Sequence, residues 1–571
     1  MSPATGAANP VELLLGHPGS RPCAVDRRVG EVSYARMRAA VTDRAGALRA
    51  AGVRPGCRAV VVSDDSVAAV TAVLALWWHG CVPVVLHPML RPAELGFIVR
   101  DCGAEYVELY VAGAQEAALR AELGGVDVAR RAAGSVGLIG HVGHVGRVGR
   151  VGPIIGVGTG PGPGLGSGRA GQAPPPTRFG ADDELLVQYT SGSTGRPRGV
   201  RHCLRAVHAI QRGVGSMLAL TPDDVVLSTA KLSFGYGFGN SLLHPFAAGA
   251  RSVLLDGPAD AYGVAAALDT YRPTVLFSVP RLYAGLLRLA EQGKAVETGS
   301  LRLAVATGEQ LPGELAARIT EMFEVPLLNG FGATEVLHTV VAAAVGQGVA
   351  ADPGSIGFPV PGVTATVRDD DGRPVGDGVH GRLHIATESA ALGYLDRPED
   401  TARAFADGGV YTGDIAFRAT GGDLCHVGRA DDMLLLGGYK IAPAEIEHVV
   451  RQVAEVADCA VVGSTDTTGL EQATVYVVAR DPARPDEVRK AVRVALRVDL
   501  PPYKRPSRVE TIDRLPVTAN GKLARFRLRD GAGAPGGGPG SGPEGGPGGG
   551  RDSGPGGGPE GDPGGGPEGG T

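Results

Sequence analysis

Residues 189–200 read Tyr-Thr-Ser-Gly-Ser-Thr-Gly-Arg-Pro-Arg-Gly-Val. The hydroxyls of Thr190, Ser191, Ser193 and Thr194 alternate with Gly192, Gly195 and Gly199, and Arg196 and Arg198 flank a turn-forming proline. Glycines let a backbone bend and bring its N–H groups close to an anion, while hydroxyls and guanidinium groups add donors. That chemistry is phosphate binding. The run is not a Walker loop, because no Gly-Lys-Ser/Thr follows at the required spacing. It follows an apolar, strand-like segment, Leu185–Tyr189, and so leaves a sheet where phosphate loops leave one.

The elements that must position such a loop are legible around it. Arg58–Ser63 is Val-rich and strand-like, a helical pattern runs through Val67–Trp78, and Val82–Leu86 reads as the next strand. The same alternation returns in Ser252–Leu255, Tyr262–Thr270, Val275–Val279, the segment from Arg281 and Leu303–Ala306. This rhythm predicts layered α/β structure with parallel strands. From Gly354 the pattern shifts to short strands with turns at Asp371-Gly372 and Asp407-Gly408, which predicts an antiparallel, barrel-like β region. After Arg429 a smaller α+β unit is expected, with helices at Ala442–Val453 and Asp486–Leu496 and strands at Cys459–Val462 and Thr474–Ala479. The division is therefore a large unit over 1–428, a small α+β unit over 429–530, and a tail over 531–571.

Composition narrows the function classes. The 571 residues carry a formal charge of −5. Five acids and one arginine after Gly531 account for −4 of it, so the body is nearly neutral and offers no electrostatic footprint for nucleic acid or an anionic membrane. Seven cysteines stand singly, a pattern of reduced thiols rather than a disulfide framework or zinc site. The N-terminus lacks the basic-then-apolar order of a signal peptide, and the apolar stretch Val67–Leu86 is interrupted and too short to span a bilayer; the expectation is a soluble cytoplasmic protein. Residues 134–176, with a His/Arg-Val-Gly repeat, and the tail, with 22 glycines and 8 prolines in 41 residues, bury too little to offset their ordering entropy and are expected to be a disordered insertion and a disordered tail.

Four further motifs stand in order behind the loop: Asn329-Gly-Phe-Gly-Ala-Thr-Glu335, Tyr411-Thr-Gly-Asp414, Gly428-Arg-Ala-Asp-Asp through Lys440, and Pro516-Val-Thr-Ala-Asn-Gly-Lys522. Together they resemble the adenylate-forming superfamily of acyl-CoA synthetases, carrier-protein-loading adenylation domains and luciferases, over roughly residues 10–530 apart from the insertion. Lys231-Leu-Ser-Phe-Gly-Tyr-Gly-Phe-Gly-Asn240, Glu335-Val-Leu-His338 and the ending Gly521-Lys-Leu-Ala-Arg-Phe-Arg are most similar to benzoate-CoA ligases.

The resemblance implies an ATP- and Mg²⁺-dependent ligase that forms an aryl-AMP and then a thioester with CoA or a carrier protein's phosphopantetheine. A medium- or long-chain acyl-CoA synthetase and a catalytically silent nucleotide- or acyl-binding relative are the alternatives. It assigns the 190–198 loop to the pyrophosphate oxygens, with arginine at 198 where the family usually carries lysine. Thr334 falls to phosphate and Glu335 to Mg²⁺. Asp414 falls to the ribose diol with Arg429 alongside, and Phe331 to the adenine face beside Asn329 and Gly308-Glu309. Lys522 would bridge the carboxylate and the α-phosphate, Asp431 would be the hinge, and Gly438 would line the thiol channel. The acyl slot would comprise Phe234, Gly235, Tyr236, Gly330, Gly332 and His338, with His338 either bonding a ring substituent or sealing the slot. The molecule is expected to be a monomer or homodimer.

Overall fold

The computed structural model describes residues 8–110, 114–123, 129–130, 174–190, 197–257, 259–345, 355–436, 439–465, 471–517 and 523–529. The 134–173 part of the proposed insertion and the tail therefore lie outside the described residues.

Two large sheets share one buried helix. Helix Val67–His79 begins at an Ser66 cap, whose hydroxyl accepts from Ala69 N, and ends at Gly80 in the left-handed region with φ 96°. Twelve of its 13 residues are buried, as expected of a helix apolar on every side. It packs in one cluster with Ala59 and Val61 from one sheet and Cys23 and Ala24 from the other. Trp77 Nε1 donates to the Leu185 carbonyl at 2.7 Å, pinning the helix under strand Glu184–Thr190.

The smaller of these sheets orders its strands Ala129–Arg130, Tyr106–Leu109, Arg58–Val62, Val82–Leu86, Glu184–Thr190 and Arg198–Cys203. All pairings are parallel except the last, where Thr190 stands opposite Arg198 across the loop. The larger sheet has 13 strands. Its parallel part runs Pro22–Asp26, Arg251–Val253, Val225–Ser228, Val275–Ser278, Leu303–Thr307 and Leu327–Gly332. Strand Thr339–Val345 then turns back antiparallel and carries the sheet on through Ser355–Pro359, Leu424–Arg429, Val410–Arg418, Gly381–Thr387 and Val363–Arg368. The antiparallel region is thus joined to the parallel sheet through Thr339–Val345. The expected turns at Gly372 and Gly408 both adopt positive φ, 82° and 75°.

The small unit packs Val456–Thr465, Glu471–Ala479 and Arg508–Thr511 beneath helices Pro443–Arg451 and Pro485–Asp499. Arg281 of the large unit reaches it, pairing with Asp458 at 2.5 Å. All seven cysteines are buried free thiols. Among the described residues no helix is long and apolar enough to cross a membrane.

His202 lies wholly buried on strand Arg198–Cys203, and neither ring nitrogen has a hydrogen-bond partner among the described residues. Burial pushes its pKa down to about 3, against about 6.5 for the unfolded chain. The unfolded state then binds one more proton between those values, so stability falls as pH drops below about 6.5. Asp65, pushed up to about 6 by its own burial, acts in the opposite sense, which makes the His202 contribution measurable only by difference. His202→Leu is expected to lower the slope of unfolding free energy against pH by close to one proton, about 1.4 kcal/mol per pH unit, between pH 6 and 4; parallel urea titrations of the two proteins check it.

Candidate active site

The segment Phe234–Asn240 is built by close backbone approach. Helix Gly235–Phe238 runs directly into a π-turn, Gly239–Leu243, before helix His244–Ala248; single π-turns of this kind recur at functional sites. The alternate glycines have a steric cause. A Cβ on Gly237 would stand 2.1 Å from the Lys231 carbonyl oxygen, and one on Gly239 would stand 2.3 Å from the His338 ring. The π-turn also brings Asn240 around so that its Oδ1 meets His338 Nε2 at 3.1 Å.

His338 arrives from the other side by a strained route. After the 3₁₀ turn Thr334–Val336, Leu337 adopts φ 69° and ψ −44°, and His338 N donates to the Val336 carbonyl at 2.8 Å. This is a γ-turn of the rarer, strained hand, and buried Leu337 holds it in place. The turn swings His338 over Gly239 and against Tyr236, their ring centroids 5.5 Å apart, and the Tyr236 ring in turn meets Phe277 edge-on at 6.1 Å. Burial depresses the His338 pKa to about 4, so the ring is neutral at pH 7. Gly330 and Gly332 come as close from below: a Cβ at 330 would lie 2.7 Å from Thr307 Oγ1, and one at 332 would lie 2.4 Å from the His338 carbonyl oxygen.

A second cluster forms beside it. Asp414, 4 % exposed on strand Val410–Arg418, faces Arg429 in register on the neighbouring strand. Its carboxylate accepts from His426 Nε2 at 2.9 Å and from Arg429 Nη1 at 3.1 Å. Burial alone would raise the Asp414 pKa; the bond from His426 and the charge of Arg429 outweigh it and hold the carboxyl below its usual range. Phe331 lies at 5.7 Å from the His426 ring, tilted by 35°. Thr334 and Glu335 follow on the half-buried rim. The Tyr394 hydroxyl donates to Glu335 Oε1 at 2.8 Å, and Arg198 stacks over the Tyr394 ring at 5.7 Å while approaching Asp400 at 3.7 Å. Loop residue and rim carboxylate therefore converge through one tyrosine.

The structure brings together Thr190, Arg198, Phe331, Thr334, Glu335, Asp414 and Arg429 with the slot residues Gly235, Tyr236, Gly330, Gly332 and His338. The Asn329 Nδ2 donates to the Ser355 carbonyl at 3.0 Å and ties two strands together. Gly308, at φ 98°, precedes Glu309, whose carboxylate accepts from Arg281 N at 3.4 Å; the same arginine reaches Asp458 of the small unit. Asp431 is exposed in the short turn Ala430–Asp432 that follows Arg429. Ser191, Gly192, Ser193, Thr194, Gly195, Gly438 and Lys522 lie outside the described residues. The sequence reading passed over Tyr394, His426 and Thr307. Each sits in an ordinary strand or loop without a local motif, and only the fold sets it beside the site.

Gly239→Ala would push a methyl group into the His338 ring. Overpacking of this kind costs about 1–3 kcal/mol, to be read as a lowered urea midpoint at unchanged m-value.

Comparison with known proteins gives the family. The family model described as AMP-binding enzyme matches residues 15–395, and that of the AMP-binding enzyme C-terminal domain matches 445–522. A 3-hydroxybenzoate–CoA/4-hydroxybenzoate–CoA ligase of Thauera aromatica is 31 % identical over 508 residues, spanning 87 % of this chain and 92 % of its own. A 3-hydroxybenzoate–CoA ligase of Aromatoleum sp. (strain CIB) is 30 % identical, spanning 92 % and 97 %. The crystal structure of a benzoate CoA ligase from Burkholderia xenovorans LB400 superposes with a TM-score of 0.76 at 29 % identity, covering 91 % of this chain and all of that one. This chain belongs to the AMP-binding, adenylate-forming enzyme family.

Proposed function

We propose that this chain is an ATP-dependent aryl-acid ligase. An aryl carboxylate attacks the α-phosphorus of ATP, giving aryl-AMP and pyrophosphate; a thiol then takes the acyl group as a thioester and releases AMP. It is an AMP-forming acid–thiol ligase, with CoA as the thiol that its relatives' names favour. The reading is supported by the adjacency of two clusters: glycine backbone packed against the Tyr236 and His338 rings, and an Asp414 kept ionised on the strand beside Phe331 and Glu335. We assign the aryl ring of the substrate to the first, whose flat walls suit it.

The residues present fit the partners this chemistry needs. Ribose hydroxyls are donors, and an Asp414 carboxylate kept charged by His426 and Arg429 accepts them. Glu335 suits Mg²⁺, which is commonly held by one or two carboxylates together with substrate phosphates and water; among the described residues no three-ligand cluster competes for a metal. Bound there, the ion would neutralise phosphate charge, and Tyr394 fixes the carboxylate that holds it. Thr190 and Arg198 bracket the loop we assign to pyrophosphate, and Thr334 adds a donor. Lys522 supplies the cation where carboxylate and α-phosphate crowd together, a stabilisation needed mainly in the transition state. We assign Asp431 as the hinge and Gly438 to the thiol path that opens once the small unit turns.

ATP–pyrophosphate exchange over a panel of carboxylic acids tests the substrate class. Substituted benzoates are expected to outpace palmitate by at least tenfold, because Tyr236 and His338 close the slot; equal or faster exchange with palmitate would refute it.

Lys522→Ala is expected to slow adenylation by about 10²–10³, as deletion of a preorganised electrostatic donor does, while thioester formation from supplied aryl-AMP continues. A bulky residue at Gly438 is expected to do the reverse. Equal damage to both half-reactions by both substitutions would rule out a small unit that alternates between them.

A further inference from the structure

Two cysteines stand side by side at one edge of the smaller sheet. The sulfurs of Cys57 and Cys81 are 3.5 Å apart. Each residue immediately precedes a strand, Arg58–Val62 and Val82–Leu86, and those strands run parallel with Arg58 opposite Val82. Backbone bonds carry that pairing back past the cysteines: Gly56 N donates to the Gly80 carbonyl at 2.7 Å, and Val82 N to the Cys57 carbonyl at 2.9 Å. Neighbouring strands lie about 4.8 Å apart, inside the Cα separation of roughly 4.4–6.8 Å that a disulfide accepts. Cys81 is held from its own side as well, since its N–H donates to the Leu76 carbonyl at 2.8 Å just past the Gly80 cap.

The chemistry of the pair differs from that of the other buried thiols. The sulfurs of Cys23, Cys102 and Cys459 each meet a backbone carbonyl, of Val32, Val99 and Glu447, and burial pushes all three thiols up to about 12. Cys57 moves the other way. A hydrogen bond from the Cys81 thiol outweighs its burial and holds it below the usual thiol range, and the same bond raises Cys81. The thiolate is the nucleophile of sulfur chemistry, so Cys57 attacks and Cys81 resolves. Cys57 is also the one of the two that touches solvent, 6 % exposed against 0 %, an opening suited to a very small oxidant.

We propose that Cys57 and Cys81 are a modification site for hydrogen peroxide, which closes them into a disulfide. The Cys57 thiolate takes one peroxide oxygen to become a sulfenic acid and releases hydroxide, which gains a proton as water. The Cys81 sulfur then attacks the Cys57 sulfur, loses its proton and expels the oxygen as a second water. Two thiols are oxidised, one peroxide is reduced, and the sulfurs close from 3.5 Å to about 2.0 Å. The bond would join residues 24 apart in sequence, enclosing strand Arg58–Val62 and helix Val67–His79, which both large sheets share. Such a strap stabilises chiefly by restricting the unfolded chain. It lies where these strands begin, whereas Thr190 ends a strand parallel to them. The proposal is independent of the ligase reading.

The test treats the folded full chain with hydrogen peroxide, alkylates it under denaturing conditions without reductant, and maps the peptides by mass. The Cys57 and Cys81 peptides are expected to be joined at a mass lower by two hydrogens and parted by dithiothreitol, with the other five cysteines alkylated. Cys81→Ser should leave Cys57 as a sulfenic acid that dimedone traps, while Cys57→Ser should leave Cys81 alkylated. The oxidised protein is expected to melt about 3–6 °C above the reduced one, a difference that reductant removes. Should either serine variant fail to fold, the wild-type map and melting shift still decide. Both cysteines still alkylated after peroxide, a different pair joined, dimedone on Cys81 rather than Cys57, or oxidation to sulfinic or sulfonic acid without a join overturns the site. A joined pair with an unchanged melting temperature overturns the strap.

Discussion

The His338 ring rests on the backbone of residue 239, with room between them for hydrogen and nothing larger. Much of the packing around residues 234–240 follows from that contact. It requires glycine at 239, and it places the π-turn where Asn240 can reach the imidazole. It also needs the γ-turn at Leu337, because an ordinary turn would aim residue 338 elsewhere. Strain of this kind persists only where packing over-determines it, and Leu337, Val336 and Leu242 are buried around the turn.

The cluster around Asp414 solves a different problem. A carboxylate as deeply buried as Asp414 would take up a proton unless opposing charge or hydrogen bonds kept it ionised. Two neighbours on the adjoining strand supply them, His426 by a direct bond and Arg429 by charge and a second bond. Because both come from strand Leu424–Arg429, the antiparallel pairing that makes the sheet also prepares the site. The continuity of that sheet with the parallel strands then fixes the distance between Asp414 and the slot, since Phe331 and Gly330 belong to the last parallel strand.

Local sequence carried the parts of this architecture that depend on local chemistry. Helix Val67–His79 was visible in its unbroken apolar run, and the turns at Gly372 and Gly408 in their Asp-Gly pairs. What escaped depends on long-range pairing. Tyr394 meets Glu335 across 59 residues and Asn240 meets His338 across 98, and neither separation leaves a periodic trace. Thr307 looks like any β-branched strand residue until Gly330 is set beneath it. Leu337 is a poor candidate for positive φ by residue type, so only tertiary packing accounts for it. The antiparallel strands were readable singly, but their attachment to the parallel sheet through Thr339–Val345 was not.

Arg281 touches Glu309, next to the positive-φ Gly308, and Asp458 in the small unit. Its side chain and that of Asp458 are each about one-third exposed, 32 % and 33 %. Ion pairs so open to water contribute at most about 1 kcal/mol, and dissolved salt attenuates them over a Debye length of about 8 Å at physiological strength. A joint of that kind holds without locking. Rising ionic strength therefore weakens this one contact between residues 281 and 458, through the medium rather than through any ligand.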